Sequence, residues 1–250
     1  MSKTSKSCTV ITTFFGKRRS YPSEVEETIK YLREYLDFLI KLDSGVDSDI
    51  ILTNHQCPEE LDPEKKSLKF LSELDGLKTV NGQIKVIHRP WEKGVGIGFK
   101  SINTAFEKFR NEYDYWFFAE DDVRISLPKY FKYCIQQLED EKSYGTAFIC
   151  GYCGSFGTTW GKHCHGSAGC THIDFLEKVY KRHGSLHYCK TERPTGDIKR
   201  LRLWYTCQEK DGEVAFTNAL IRAGHDLSLF NAEKYSKGQL IIKNVQGSGK

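Results

Sequence analysis

The sequence predicts an α/β fold: a mainly parallel central sheet with helices on its flanks. Strand-like runs alternate with helical stretches at the spacing of repeated strand–helix–strand units. Every chemically distinctive motif falls at the C-terminal end of a predicted strand, where parallel sheets bind ligands. No composition break or long linker interrupts the 250 residues, so one domain spanning 1–250 is expected, with a core of about 8–230 and a mobile tail from Asn244.

The first strand is predicted over Cys8–Phe15, rich in β-branched and aromatic residues, and it runs into the basic loop Gly16-Lys17-Arg18-Arg19. Ser23 is placed to cap a helix whose apolar positions Val25, Ile29, Leu32, Leu36, Leu39 and Ile40 recur at helical spacing. Ser48–Thr53 reads as a second strand ending at a polar turn, Asn54-His55. The charged stretch from Glu59 to Lys78 has a helical pattern. Gln83–His88 reads as a third strand, followed by the turn Gly94–Gly98 and a helix over about Phe99–Phe109. The most hydrophobic strand, Tyr113–Ala119, leads straight into Glu120-Asp121-Asp122. Beyond it, Thr146–Cys150 reads as a strand and Gly151–Gly169 as a long loop. Ile173–Arg182 and Glu213–Ala223 read as helices, the latter stopped by Gly224, and Asp226–Phe230 as a closing strand.

The totals restrict the function classes. A 39% hydrophobic and 13% aromatic composition supplies a packed core and excludes a disordered chain. The net charge of +4 suits an anionic ligand such as a nucleotide diphosphate as well as it suits nucleic acid. No run approaches the ~20 apolar residues of a membrane-spanning helix, and the N-terminus lacks the apolar core of a signal peptide. A cytoplasmic protein without a transmembrane segment is expected. The nine cysteines read as reduced, buried thiols rather than a disulfide framework. A zinc site from Cys150, Cys153, His163, Cys164 and His165 is the alternative.

Three consecutive carboxylates after an apolar strand do not all belong in a core, because unpaired buried charge is costly. At the end of a central strand, Glu120-Asp121-Asp122 forms an anionic cup for a hard cation, Mn2+ or Mg2+, which prefers oxygen ligands. A solvated acidic turn beside Arg124 is the plainer reading. In the Gly94–Gly98 turn, glycines let backbone approach a phosphate, and Lys100 is placed to pair with it. A merely flexible turn explains the glycines equally well. Glu213, at a helix start, is placed to complement the helix dipole. Tyr152, Phe156 and Trp160 are either an aromatic stacking platform or core.

The order of these elements, and the run from Trp116 to Asp122, resemble GT-A glycosyltransferases of the family 2-like group. The resemblance covers about residues 8–230. It implies a Glu-x-Asp variant of the DxD motif, with Asp122 and Glu120 on the metal and Glu120 and Asp121 toward the donor ribose and sugar. It also implies that Thr12, Thr13 and Phe14 touch the nucleoside. Asn54 stands where the family carries an acidic residue that holds the base or ribose. Aligning on Gly224 puts Glu213 at the catalytic carboxylate of inverting members, with Asp211 in reserve.

The implied activity is metal-dependent transfer of a sugar from a nucleotide-diphosphate sugar to a glycan or other hydroxyl acceptor, with no nucleic-acid partner. Two rivals are a nucleotidyltransferase, suggested by Gly16–Arg19, and a non-catalytic nucleic-acid-binding module using Lys17, Arg18, Arg19 and the run Lys199–Arg202. The acidic cup counts against the second rival, since it repels phosphate unless metal is bound.

Overall fold

The computed structural model describes residues 5–15, 25–55, 57, 59–89, 97–121, 123–151, 168–186 and 213–244. The strands are β1 (Ser7–Phe14), β2 (Ser48–His55), β3 (Ile84–Arg89), β4 (Tyr115–Glu120), β5 (Val123–Ile125), β6 (Thr146–Cys150), β7 (Ala168–His172), β8 (Asp226–Leu229) and β9 (Ile242–Asn244). The helices are α1 (Val25–Leu39), α2 (Lys66–Leu74), α3 (Ile97–Phe109), α4 (Tyr130–Glu141), α5 (Ile173–His183), α6 (Glu213–Arg222) and α7 (Ala232–Ser236). No helix among the described residues is long and apolar enough to cross a membrane.

The predicted α/β class is the observed one: a seven-stranded sheet in the order β3-β2-β1-β4-β7-β6-β8, flanked by helices. β3, β2, β1 and β4 run parallel, as do β6 and β8, whereas β7 lies antiparallel between β4 and β6. β4 is buried along its four central residues, which is why its sequence is a continuous apolar run rather than an alternating one.

Alternation along the strands divides the core into two layers. Ile11, Leu52, Ile84, Phe117 and Ala119 pack with α1, α2 and α4 on one face. Val10, Ile51, Ile87, Trp116 and Phe118 pack with α3, α5 and α6 on the other. α1 follows its predicted periodicity, burying Val25, Leu32, Leu36 and Leu39.

Several expectations are corrected. Asn54 and His55 are not a turn but the last residues of β2, because register pairing with Thr13, Phe14, His88 and Arg89 carries the strand onward. The helical stretch over Glu59–Lys78 shortens to α2. The buried Asp62 carboxylate accepts from the backbone N–H groups of Lys66 and Ser67 at 2.8 and 2.9 Å, which fixes the helix start. The long loop predicted to Gly169 ends earlier, since Ala168 and Gly169 already belong to β7.

Two unpredicted elements, β5 and α4, follow the acidic run, and β5 pairs antiparallel with β9. Asn244, assigned to a mobile tail, is therefore a strand residue opposite Val123. The thiols of Cys8, Cys134 and Cys170 are free and buried, as predicted, and Cys150 is buried as well.

Candidate nucleotide site at the C-terminal edge of the sheet

Parallel register aligns the ends of four strands. Thr12 is the partner of both Thr53 and Glu120, and Thr53 is the partner of Ile87. Thr13 pairs with Asn54, and Asn54 with His88. Register partners point to the same side of a sheet, so the edge carries two polar rows. Thr12, Thr53, Glu120 and, one pleat further on, Arg89 share the face covered by α3 and α6. Thr13 and Asn54 share the face covered by α1, α2 and α4.

The first row is tied to the acidic turn by the backbone. The Asp121 N–H donates to the Thr12 carbonyl at 3.1 Å, continuing the β1–β4 ladder one residue past Glu120. Glu120 is half-buried at the strand end, whereas Asp121 is only 2% exposed. Burial drives the pKa of Tyr35 upward; Arg124 is close enough to oppose that rise and Asp121 to add to it. The predicted neighbour of the acidic run, Arg124, rests on two aromatic faces, 3.9 Å from the Tyr31 ring centre and 4.2 Å from that of Tyr35. The Tyr35 hydroxyl accepts from the Ile125 N–H at 3.3 Å, so α1 steadies β5 just beyond the acids.

Buried polar groups are nearly always hydrogen-bonded, and exceptions call for an explanation. Several exceptions lie at this edge. Asn54 is 0% exposed, yet among the described residues neither its amide nitrogen nor its amide oxygen has a hydrogen-bond partner. The buried hydroxyls of Thr12 and Thr53 likewise have no hydrogen-bond partner among the described residues. Thr13 is the satisfied member, donating to the Thr53 carbonyl at 3.4 Å.

Lys100 lies in the first turn of α3. Burial first, and the charge of Arg89 second, hold its ammonium below its ordinary pKa. The two cations therefore lie near one another although they are eleven positions apart in sequence. α6 reaches the same region: the Phe216 ring lies 5.3 Å from that of Phe99. Glu213 is the first residue of α6, one turn before Phe216.

The structure thus gathers Thr12, Thr13, Asn54, Lys100, Glu120 and Asp121 at one sheet edge, with the backbone of Phe14 beside them. Asp122, Asp211 and the side chains of Phe14 and Glu213 lie outside the described residues. So do Lys17, Arg18, Arg19, the run Lys199–Arg202, the turn over 94–96, Tyr152, Phe156, Trp160, and the Cys153, His163, Cys164 and His165 of the alternative zinc site.

Among the described residues no group of three or more His, Cys, Asp or Glu forms a metal cluster. Glu120, Asp121 and Asp122 are nevertheless all hard oxygen donors in one run at a strand end, a set that fits Mg2+ or Mn2+. His225 makes a separate contact, its Nε2 3.1 Å from the Lys178 ammonium. The sequence reading missed Arg89 and Thr53; the available signal was a basic residue between an apolar strand and a glycine-rich turn.

Comparison with solved structures identifies the architecture. The chain superposes on the mannosyltransferase PcManGT of Pyrobaculum calidifontis, solved in complex with GDP-Man and Mn2+, with a TM-score of 0.51 and 8% identity. The match covers 91% of this chain and 55% of that one, so this chain spans about half the mannosyltransferase's length. The fold is of GT-A type. A second match, to 4-diphosphocytidyl-2C-methyl-D-erythritol synthase of Anaerococcus prevotii, has a TM-score of 0.45 and 11% identity over 90% of this chain and 86% of that one. The sequence matches no protein-family model and no curated protein.

Proposed function

We propose that this GT-A chain is a glycosyltransferase that moves a sugar from a nucleotide-diphosphate sugar to an acceptor hydroxyl, with inversion. The observation that carries the reading is the register match of Thr12 with Glu120 beside buried Thr12, Thr53 and Asn54 side chains that lack hydrogen-bond partners among the described residues. An acidic strand end next to such polar groups suits a ligand with both a metal-bridged diphosphate and a hydrogen-bonding base.

In this reading Asn54 and Thr13 hold the base or ribose, and Thr12 and Phe14 line the nucleoside. Lys100 pairs with phosphate. Glu120 and Asp122 hold Mn2+ or Mg2+, and Asp121 helps orient the donor. A bound divalent ion supplies charge neutralisation of the diphosphate and so favours departure of the nucleotide. Glu213 takes the proton from the attacking acceptor hydroxyl, with Asp211 as the alternative base. Packing of α6 against α3 supports this, because it brings the start of α6 to the face that carries Glu120.

The likeness to a mannosyltransferase holding GDP-Man and Mn2+ is consistent with a nucleotide-sugar donor, and the reading commits to no particular base or sugar. A panel of nucleotide-sugars incubated with Mn2+ tests it. Release of free nucleoside diphosphate, lost in Asp122→Asn, is expected. Release of pyrophosphate from a nucleoside triphosphate would instead favour nucleotidyl transfer, and turnover of neither would leave a binding module.

A further inference from the structure

Cations and exposed apolar side chains come together where α5 and α6 meet the start of β8. The C-terminal half of α5 carries Lys178, Lys181, Arg182 and His183, and α6 closes on Arg222. Burial first, then Arg182 and Arg222, hold the His183 imidazole below its ordinary pKa, so the α6 cation lies near the end of α5. Just past α6, His225 has its Nε2 3.1 Å from the Lys178 ammonium. An ammonium only donates, so the ring accepts there in its neutral form. Burial first and Lys178 second hold that ring low as well.

The acids close by are engaged elsewhere. Glu177 lies 3.8 Å from Arg110 and 3.6 Å from Lys181, and Asp174 lies 3.3 Å from His172. Asp226 accepts from the Leu227 N–H at 2.7 Å. Like charges gathered from two helices repel one another in the free protein and favour an anionic partner.

Apolar side chains border the cations. Ile221, next to Arg222, is 44% exposed, and Tyr144 is 87% exposed. The backbone brings Tyr144 to this place: the Gly145 carbonyl bonds to the His225 ring and accepts from the Asp226 N–H at 2.8 Å. A soluble polyanion gains little from an exposed ring and a branched aliphatic chain. The interface of a bilayer takes both, and tyrosine settles at headgroup level with its hydroxyl in water.

This end of the sheet is the one opposite the nucleotide edge. β7 is antiparallel to both β4 and β6, and β8 is parallel to β6, so β4, β6 and β8 run the same way. Tyr144 and His225 precede β6 and β8, whereas Glu120 ends β4. A surface held here leaves the C-terminal edge open to water.

We propose that Lys178, Arg182 and Arg222, with Tyr144 and Ile221, dock the protein peripherally on an anionic lipid surface. The cations meet the lipid headgroups, and the two apolar side chains enter the interfacial layer. The assignment needs no ligand at the nucleotide edge, so it stands or falls apart from the glycosyl-transfer reading.

Co-flotation with vesicles of phosphatidylcholine alone, and of phosphatidylcholine mixed with phosphatidylserine, tests it, with heparin as a soluble polyanion. The wild type is expected to float with the mixed vesicles only, and less so as salt rises. Arg182→Gln and Arg222→Gln, both at exposed positions, should each weaken vesicle binding by about fivefold. Tyr144→Ser, which touches no core residue, should weaken vesicle binding and leave any heparin binding unchanged.

No flotation with mixed vesicles, or equal flotation with neutral ones, overturns the proposal. Tight heparin binding with no effect of Tyr144→Ser on vesicles also overturns it, in favour of a soluble polyanion. Donor binding at the opposite edge should be the same in all three variants. A parallel loss there would mean that the two faces are not separate, and would overturn the docking assignment too.

Discussion

Thr12 and Glu120 are register partners on the two central parallel strands, and the next N–H along, that of Asp121, closes onto the Thr12 carbonyl at 3.1 Å. Glu120 and Asp121 are thus held by the β-ladder itself. If the acidic run holds the metal, Glu120→Gln and Asp122→Asn should each abolish Mn2+-dependent donor binding, and the far-ultraviolet circular dichroism should stay unchanged. Wild-type affinity with the same metal dependence in both variants would show that the metal lies elsewhere.

The amide of Asn54 makes an unusual prediction about stability. Asn54→Leu keeps the branched outline of the side chain, with somewhat more bulk, and removes two buried polar atoms that lack hydrogen-bond partners among the described residues. The ligand-free protein should become more stable, by about 1–3 kcal/mol, and nucleotide binding should be lost. Denaturant midpoints and nucleotide titrations read the two effects separately. Destabilisation without ligand would mean that the amide is needed by the fold and not by a ligand.

A pH dependence follows from Lys100. Its pKa is held down by burial first and by Arg89 second, and a bound diphosphate would raise it. Binding then takes up a proton. Affinity is full below the free-state pKa of Lys100 and is lost as pH rises through that pKa toward the bound one. Diphosphate titrations across alkaline pH should show this fall, and Lys100→Gln should remove it. A wild-type profile as flat as that of the variant would return Lys100 to an ordinary helix residue.

Binding and chemistry separate at α6. Glu213→Gln preserves shape but accepts no proton, so turnover should drop by ~10²–10⁴ while donor affinity holds. A loss confined to Asp211→Asn would assign the base to Asp211. A small rate effect that follows melting temperature would make Glu213 a helix-start residue only.

Packing where β6 meets β7 supplies a check on the fold itself. A Cβ added at Gly169 would lie 1.9 Å from the Phe148 ring. Gly169→Ala should therefore displace that ring and cost about 1–3 kcal/mol, as overpacked cores do. An unchanged melting temperature would mean that β7 does not run where it is described.

Much of the architecture was legible because its signals are local. The periodicity of α1, the apolar run of β4 and the three acids that follow it are properties of neighbouring residues, so the sequence alone determined the α/β class and the position of the acidic run. Non-local pairing decided the rest. Nothing near Ala168–His172 indicates that β7 must run antiparallel between β4 and β6, or that β9 closes on β5 from the far end of the chain. Asn54 resembles a turn residue until the register with Thr13 and His88 buries it in a strand. The approach of Arg89 to Lys100, and the side of the sheet on which each polar row falls, are likewise set by register and helix packing. Sequence carries those long-range choices only collectively, through burial of the two apolar layers, and the tertiary structure is where they become assignable to single residues.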